Sequence, residues 1–275
     1  MESNLHFVEY GNPNGTPVVY FHGAPGGPEE CCLFDAHAKI YNLNVMSFDR
    51  FAIDSSLTAA RYYQFIADTI RQKTNGRPID FIGFSIGCHS AIETSAYINE
   101  NVRNLYLISA AAPLDAGAFI DNMAGKFLFS AAIKSPVVFN LISYWQNLMA
   151  KLAPNMLYKI LFASATRQDK ELSKTIDFKE HITPILADCF KRNLAGYMRD
   201  IKQYVTPWQS AVRDCKANVH LWHGDQDNWS PISMALHLAN NMPNCSSPKI
   251  IKGASHFTCL ASACLLYTSP SPRDA

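Results

Sequence analysis

Residues 79–88 read I-D-F-I-G-F-S-I-G-C, an apolar run that ends in G-x-S-x-G. A serine hydroxyl is a poor nucleophile until a base takes its proton and the backbone fixes its direction. In this pattern the flanking glycines, Gly83 and Gly87, let a helix and a neighbouring strand close on a sharp turn that lifts Ser85 above the sheet. The alternative is a small residue filling a tight corner. The strand expected at 79–84 and the helix expected at 88–99 favour the nucleophile. Cys88 lies close by but is expected to point into that helix.

A nucleophile of this kind needs a base and an acid on the same rim of the sheet, where ligand chemistry gathers at the strand ends. The run 218–223 leads into H-G-D-Q-D-N-W-S-P, and both Asp225 and Asp227 qualify as the acid. The short run 249–252 leads into G-A-S-H-F, which brings His256 to that rim. His237 also follows the acids, but it falls in the middle of a predicted helix. A developing oxyanion needs backbone donors. Ile86 follows the nucleophile at a helix N-terminus. Ala24 sits in H-G-A-P-G-G after the run 17–21, where the glycines allow close approach to a ligand.

Short apolar strands are expected at 5–10, 17–21, 44–49, 79–84, 102–109, 218–223 and 249–252. One helix is expected within 28–41. Another spans 58–74, where Tyr62, Phe65, Ile66, Thr69 and Ile70 repeat at helical spacing, and a further one spans 232–241. Alternating strands and helices argue a mostly parallel sheet covered on both faces. From 114 to 206 only helices are expected, with prolines at 136, 154, 184 and 207 as punctuation. The fold class is therefore α/β, with an all-helical cap inserted mid-chain. Residues 1–113 and 207–263 would form the core and 114–206 the cap.

These motifs resemble those of the α/β-hydrolase fold family with a helical cap, across about 5–257. G-F-S-I-G resembles the nucleophile elbow, H-G-A-P-G the oxyanion loop, H-G-D-Q-D the acid turn and G-A-S-H-F the histidine loop. The resemblance implies a catalytic Ser85–His256–Asp227 set, because Asp227 rather than Asp225 matches the family's H-G-x-x-D. It implies a carboxylic ester hydrolase acting on a small molecule, with no metal and no organic cofactor.

H-G-A-P-G-G also resembles H-G-G-P-G-G of proline iminopeptidases, which need cap carboxylates to hold a free amine. Asp121, Glu171, Asp177 and Glu180 are available. A non-catalytic ligand-binding member of the fold and an inert fragment are the other readings. The sequence departs from the family where D-R-F-A-I-D-S-S replaces D-R-x-G-x-G-x-S, in a loop expected to border the pocket. It departs again at the family's last helix, which is expected to be absent or replaced by the C-terminal tail.

The cap is strongly apolar, with Phe119, Met123, Phe127, Leu128, Phe139, Tyr144, Trp145, Met149, Met156 and Phe162. Most of these should pack helix on helix and a few should line a pocket for lipophilic esters. Twenty-four basic against twenty-three acidic residues give no electrostatic case for nucleic acid or for an anionic membrane. Eight scattered cysteines without a C-x-x-C pair fit reduced thiols in a cytoplasmic setting. M-E-S-N-L-H-F lacks the basic and apolar regions of a signal peptide. The oligomeric state leaves no signal. Residues 264–274, C-L-L-Y-T-S-P-S-P-R-D, resemble a translated sequencing-library adapter, so 264–275 is expected to be an artefactual tail that displaces the natural C-terminus.

Overall fold

The computed structural model describes residues 5–268, with side chains through Cys264. Seven strands form one sheet: β1 (Phe7–Gly11), β2 (Thr16–Phe21), β3 (Leu43–Phe48), β4 (Ile79–Phe84), β5 (Val102–Ile108), β6 (Asn218–Gly224) and β7 (Lys249–Ile251). Their order is β1-β3-β2-β4-β5-β6-β7. β1 runs antiparallel to β3, and the remaining pairs are parallel.

Successive strand residues face opposite sides, and here both sides are apolar. Val19, Phe21, Phe81, Leu105 and Leu107 join one core. Val18, Tyr20, Ile82, Phe84, Tyr106 and Ile108 join the other. That is why the strands read as unbroken apolar runs rather than alternating ones.

The helices of the first half are α1 (Asp35–Ile40), α2 (Ala59–Lys73) and α3 (Gly87–Ser95). The Thr58 hydroxyl caps α2 by accepting from the Arg61 amide. After β5 come α4 (Lys126–Lys134), α5 (Pro136–Leu152), α6 (Pro154–Leu161), α7 (Arg167–Leu172), α8 (Ile176–Arg192) and α9 (Leu194–Val205). α10 (Gln209–Asp214), α11 (Ile232–Asn241) and α12 (His256–Thr268) are the last helices among the described residues. Between β5 and α10 the described residues form helices joined by turns and no strand.

Three expectations need correction. The single helix within 28–41 is a 3-10 stretch, Pro28–Phe34, followed by α1. Pro136 and Pro154 do start helices, where a missing N–H costs nothing. Pro184 does not end one and sits inside α8, whose buried Ile182, Ile185, Leu186 and Ala187 hold the helix together around it. The last helix is not missing either. α12 begins at His256 and buries Cys259, Leu260, Ala263 and Cys264 against the sheet. Residues 264–268 of the stretch read as a tail continue this helix; 269–275 lie outside the described residues.

The D-R-F-A-I-D-S-S loop is where a cap helix docks. A Cβ on Gly196 in α9 would run into the Phe51 carbonyl, so backbone packs on backbone. Arg50 gives its Nε–H to Asp200 of α9 at 2.6 Å, both side chains being almost wholly buried. Arg199 lies 4.0 Å above the Tyr62 ring and donates to the Arg50, Ile53 and Asp54 carbonyls. None of residues 50–54 lines the cavities at Ser85, contrary to the expectation that this loop borders the pocket.

Candidate active site

Ser85 caps β4 with φ +57°, the left-handed region that a serine enters only where the surroundings hold it there. Three backbone bonds do so. Its amide donates to Ile108, and its carbonyl accepts from Cys88 and Ala111. The two motif glycines are needed for the same turn. A Cβ on Gly83 would meet the Cys88 Cα at 2.7 Å, and one on Gly87 would strike the Phe21 carbonyl. Cys88 itself is buried in α3 and donates its thiol to the Gly83 carbonyl, as its position in the sequence suggests.

His256 is the first residue of α12 and only 2% exposed. Its Nδ1–H donates to Asp227 Oδ2 at 2.8 Å. Its ring is held between Phe84, with centroids 4.7 Å apart, and Trp229, stacked at 5.9 Å. Asp227 Oδ1 accepts from the Trp229 and Ser230 amides, both at 2.9 Å. Burial alone would raise the Asp227 carboxyl, but the charge and hydrogen bond of His256, with His223 and the Ser230 amide, hold it below the usual range. His223 donates to the Ser230 carbonyl at 2.7 Å, and burial keeps its ring below the usual histidine value.

Ser85 and His256 line one small cavity together. Among the described residues no hydrogen bond joins them; unliganded sites often tighten this contact only when substrate binds. Asp225 lies elsewhere, accepting from the Gly253 amide at 2.7 Å. His237 is bonded to Gln209 at 2.8 Å, away from Ser85.

Ala24 faces the same cavities as Ser85, and Ile86 lines the larger one. Among the described residues no hydrogen bond engages either amide. The loop carrying Ala24 packs closely on β4, since a Cβ on Gly23 would lie 3.2 Å from the Phe84 ring.

Several residues that shape this site are not evident in the sequence. Glu30, 2% exposed, reaches back under the loop. Its carboxylate accepts from the Gly23 amide at 3.1 Å, the Gly27 amide at 3.3 Å and the Tyr20 hydroxyl at 3.0 Å. Burial raises its carboxyl to about 7, against the partial opposition of these donors and Arg50. Arg50 holds the loop from the other side through the His22 and Gly23 carbonyls. Asp169 of α7, 1% exposed, accepts at 2.9 Å from each of the Phe257 and Thr258 amides and the Thr258 hydroxyl. It caps the helix that His256 begins.

Two cavities meet at Ser85. The larger, about 230 Å³, is lined mostly by apolar residues, among them Met123 just before α4, Leu128 of α4, Ile142 of α5 and Ile160 of α6. The smaller, about 20 Å³, lies against His256, Phe257, Phe162 and Leu186. Of the ten cap residues expected from sequence, Met123, Phe127, Leu128 and Phe162 reach these walls.

The family profile described as lipid-droplet associated hydrolase matches residues 59–258. The chain belongs to the lipid-droplet associated hydrolase family. The match takes in Ser85, Asp227 and His256. No curated protein matches by sequence. Among solved structures, a bromoperoxidase from Bacillus anthracis is 16% identical over 95% of this chain and 94% of its own, with TM-score 0.67. An esterase from Thermogutta terrifontis is 15% identical over 96% and 92%, also at 0.67. The enol-lactonase from Burkholderia xenovorans is 13% identical over 96% and 93%, again at 0.67. At such identity these likenesses show the fold, and this lipid-droplet associated hydrolase family member has the α/β-hydrolase fold that its motifs resemble.

Proposed function

We propose that the protein is a serine esterase for lipophilic carboxylic esters. The observation that carries this reading is Ser85, held at φ +57° beside a histidine whose far nitrogen is bonded to a buried aspartate. In this mechanism the Ser85 Oγ bonds to the acyl carbon as its proton passes to His256 Nε2. The Ala24 and Ile86 amides take the oxyanion. The carbon–oxygen bond to the alcohol breaks, and His256 returns the proton to the departing oxygen. Water then gives a proton to His256 and its oxygen to the acyl carbon; the bond to the Ser85 Oγ breaks, His256 passes that proton to Oγ, and the acid leaves. Asp227 orients the ring and stabilises its cationic form.

The iminopeptidase alternative has less support. Asp121 pairs with Lys126, Glu171 pairs with Lys174, and neither these two nor Asp177 or Glu180 lines either cavity.

The substrate is best supplied from a lipid surface. α5 carries two apolar stripes. Phe139 and Ala150 face inward, while Val137, Leu141, Tyr144, Leu148 and Leu152 are exposed at i, i+4, i+7, i+11 and i+15. A surface helix normally keeps its outer face polar. Phe127 and Ile160 are also exposed and line the larger cavity, so apolar side chains stand at its mouth as well. The family's description names a lipid droplet. This departs from the expectation of no membrane partner, which rested on the balanced charge and on the lack of an apolar run long enough to span a membrane. No helix among the described residues is long and apolar enough to cross a membrane, so contact would be with the surface.

A fluorophosphonate probe tests the nucleophile, with the adduct mapped by peptide mass. The expected result is one adduct on Ser85, and loss of at least roughly a thousandfold in ester hydrolysis in Ser85→Ala. Full activity in that variant would end the proposal.

A further inference from the structure

We infer that the site takes esters of a medium-length apolar acid with a very small alcohol, an inference that rests on the esterase reading. The two cavities at Ser85 are not equivalent. In the proposed step the proton that leaves Ser85 ends on the alcohol oxygen, and His256 carries it. The alcohol must therefore lie on the His256 side.

Of the two cavities, only the smaller touches His256, and its volume is about 20 Å³. A water needs about 10–15 Å³ of such space, so this side holds one water or a group of methyl size. Phe162, Leu186 and Phe257 line it. The same space suits the water of the second step, which must also reach His256.

The acyl chain then occupies the larger cavity, which touches Ser85, Ala24 and Ile86 but not His256. Its volume is about 230 Å³. An apolar cavity of about 150 Å³ admits benzene, so on that scale this one holds about nine carbons. Gln146, Ser164 and Ser230 interrupt an otherwise largely apolar wall. A bulky alcohol with a short acid would place its mass on the smaller side.

The test uses two isomers with the same atoms, methyl octanoate and heptyl acetate, on the intact chain. Fluorophosphonate labelling runs alongside, because its fluoride leaving group fits the small cavity. The expected result is labelled Ser85 and kcat/KM at least roughly tenfold higher for methyl octanoate. Labelled Ser85 with heptyl acetate cleaved equally well or faster overturns this inference and leaves the esterase reading standing. An unlabelled Ser85 removes both. Leu186→Ala, which opens the small cavity, should narrow the preference severalfold. An unchanged ratio in a labelled Leu186→Ala counts against placing the alcohol there.

Discussion

Glu30 offers a measurable consequence of burying an acid beneath the loop that carries Ala24. Its carboxyl is raised from the usual 4.5 to about 7, chiefly by burial. An acid whose pKa is higher in the folded state than in the unfolded one binds its proton more tightly when folded. Its contribution to stability is therefore greatest below pH 4.5, declines as pH rises toward 7, and is level above that. The interval of about 2.5 pH units, at about 1.4 kcal/mol each, makes the decline about 3 kcal/mol. Glu30→Gln removes the titration. Urea unfolding of both proteins at pH 5, 6, 7 and 8 isolates it, because every other titrating group is shared. The difference in unfolding free energy, wild type minus variant, should fall by roughly 2 kcal/mol or more between pH 5 and 8. A difference that stays flat across this range would refute the reasoning that burial dominates at Glu30.

Asp227→Asn should leave the fold intact and lower kcat by about ten-thousandfold, read by steady-state hydrolysis of a soluble ester. Asp169→Ala removes the cap from α12; circular dichroism melts should show about 1–2 kcal/mol lost, with kcat reduced as His256 loosens. Asp200→Ala leaves Arg50 as an unpaired buried charge, and denaturant titration should show a loss of about 3–5 kcal/mol. Leu141→Asp with Leu148→Asp should sharply reduce flotation with phospholipid vesicles while hydrolysis of a water-soluble ester persists. Equal flotation would argue against the α5 stripe as the lipid-facing surface.

What the sequence discloses here is local. Each strand is a short apolar run because both sheet faces are covered, and the elbow is a five-residue pattern whose geometry its own glycines dictate. Ser85, Asp227 and His256 were legible because each follows a strand end, and strand ends share a rim. Glu30, Asp169 and Asp200 were not, since a buried acid reads like a surface acid until its partner arrives. For two of them the partner lies far off in the chain, Asp169 meeting Phe257 across 88 residues and Asp200 meeting Arg50 across 150, while Glu30 meets Tyr20, Gly23 and Gly27 within ten. α12 was masked for a related reason: its first turn depends on Asp169 rather than on a capping residue of its own. Pro184 misled because propensity weighs the missing N–H but not the four buried apolar neighbours that outvote it.

The link between Arg50 and Asp200 bears on how this fold can be rebuilt. The guanidinium that steadies the His22–Gly23 backbone takes its counter-charge from α9, a helix of the inserted region. A chimaera that exchanges 114–206 for a foreign helical segment would thus import an electrostatic fault beneath the loop that carries Ala24, unless the donor sequence brings its own carboxylate to that spot. Specificity grafts in this protein would be better cut at α8, leaving α9 with the scaffold it serves.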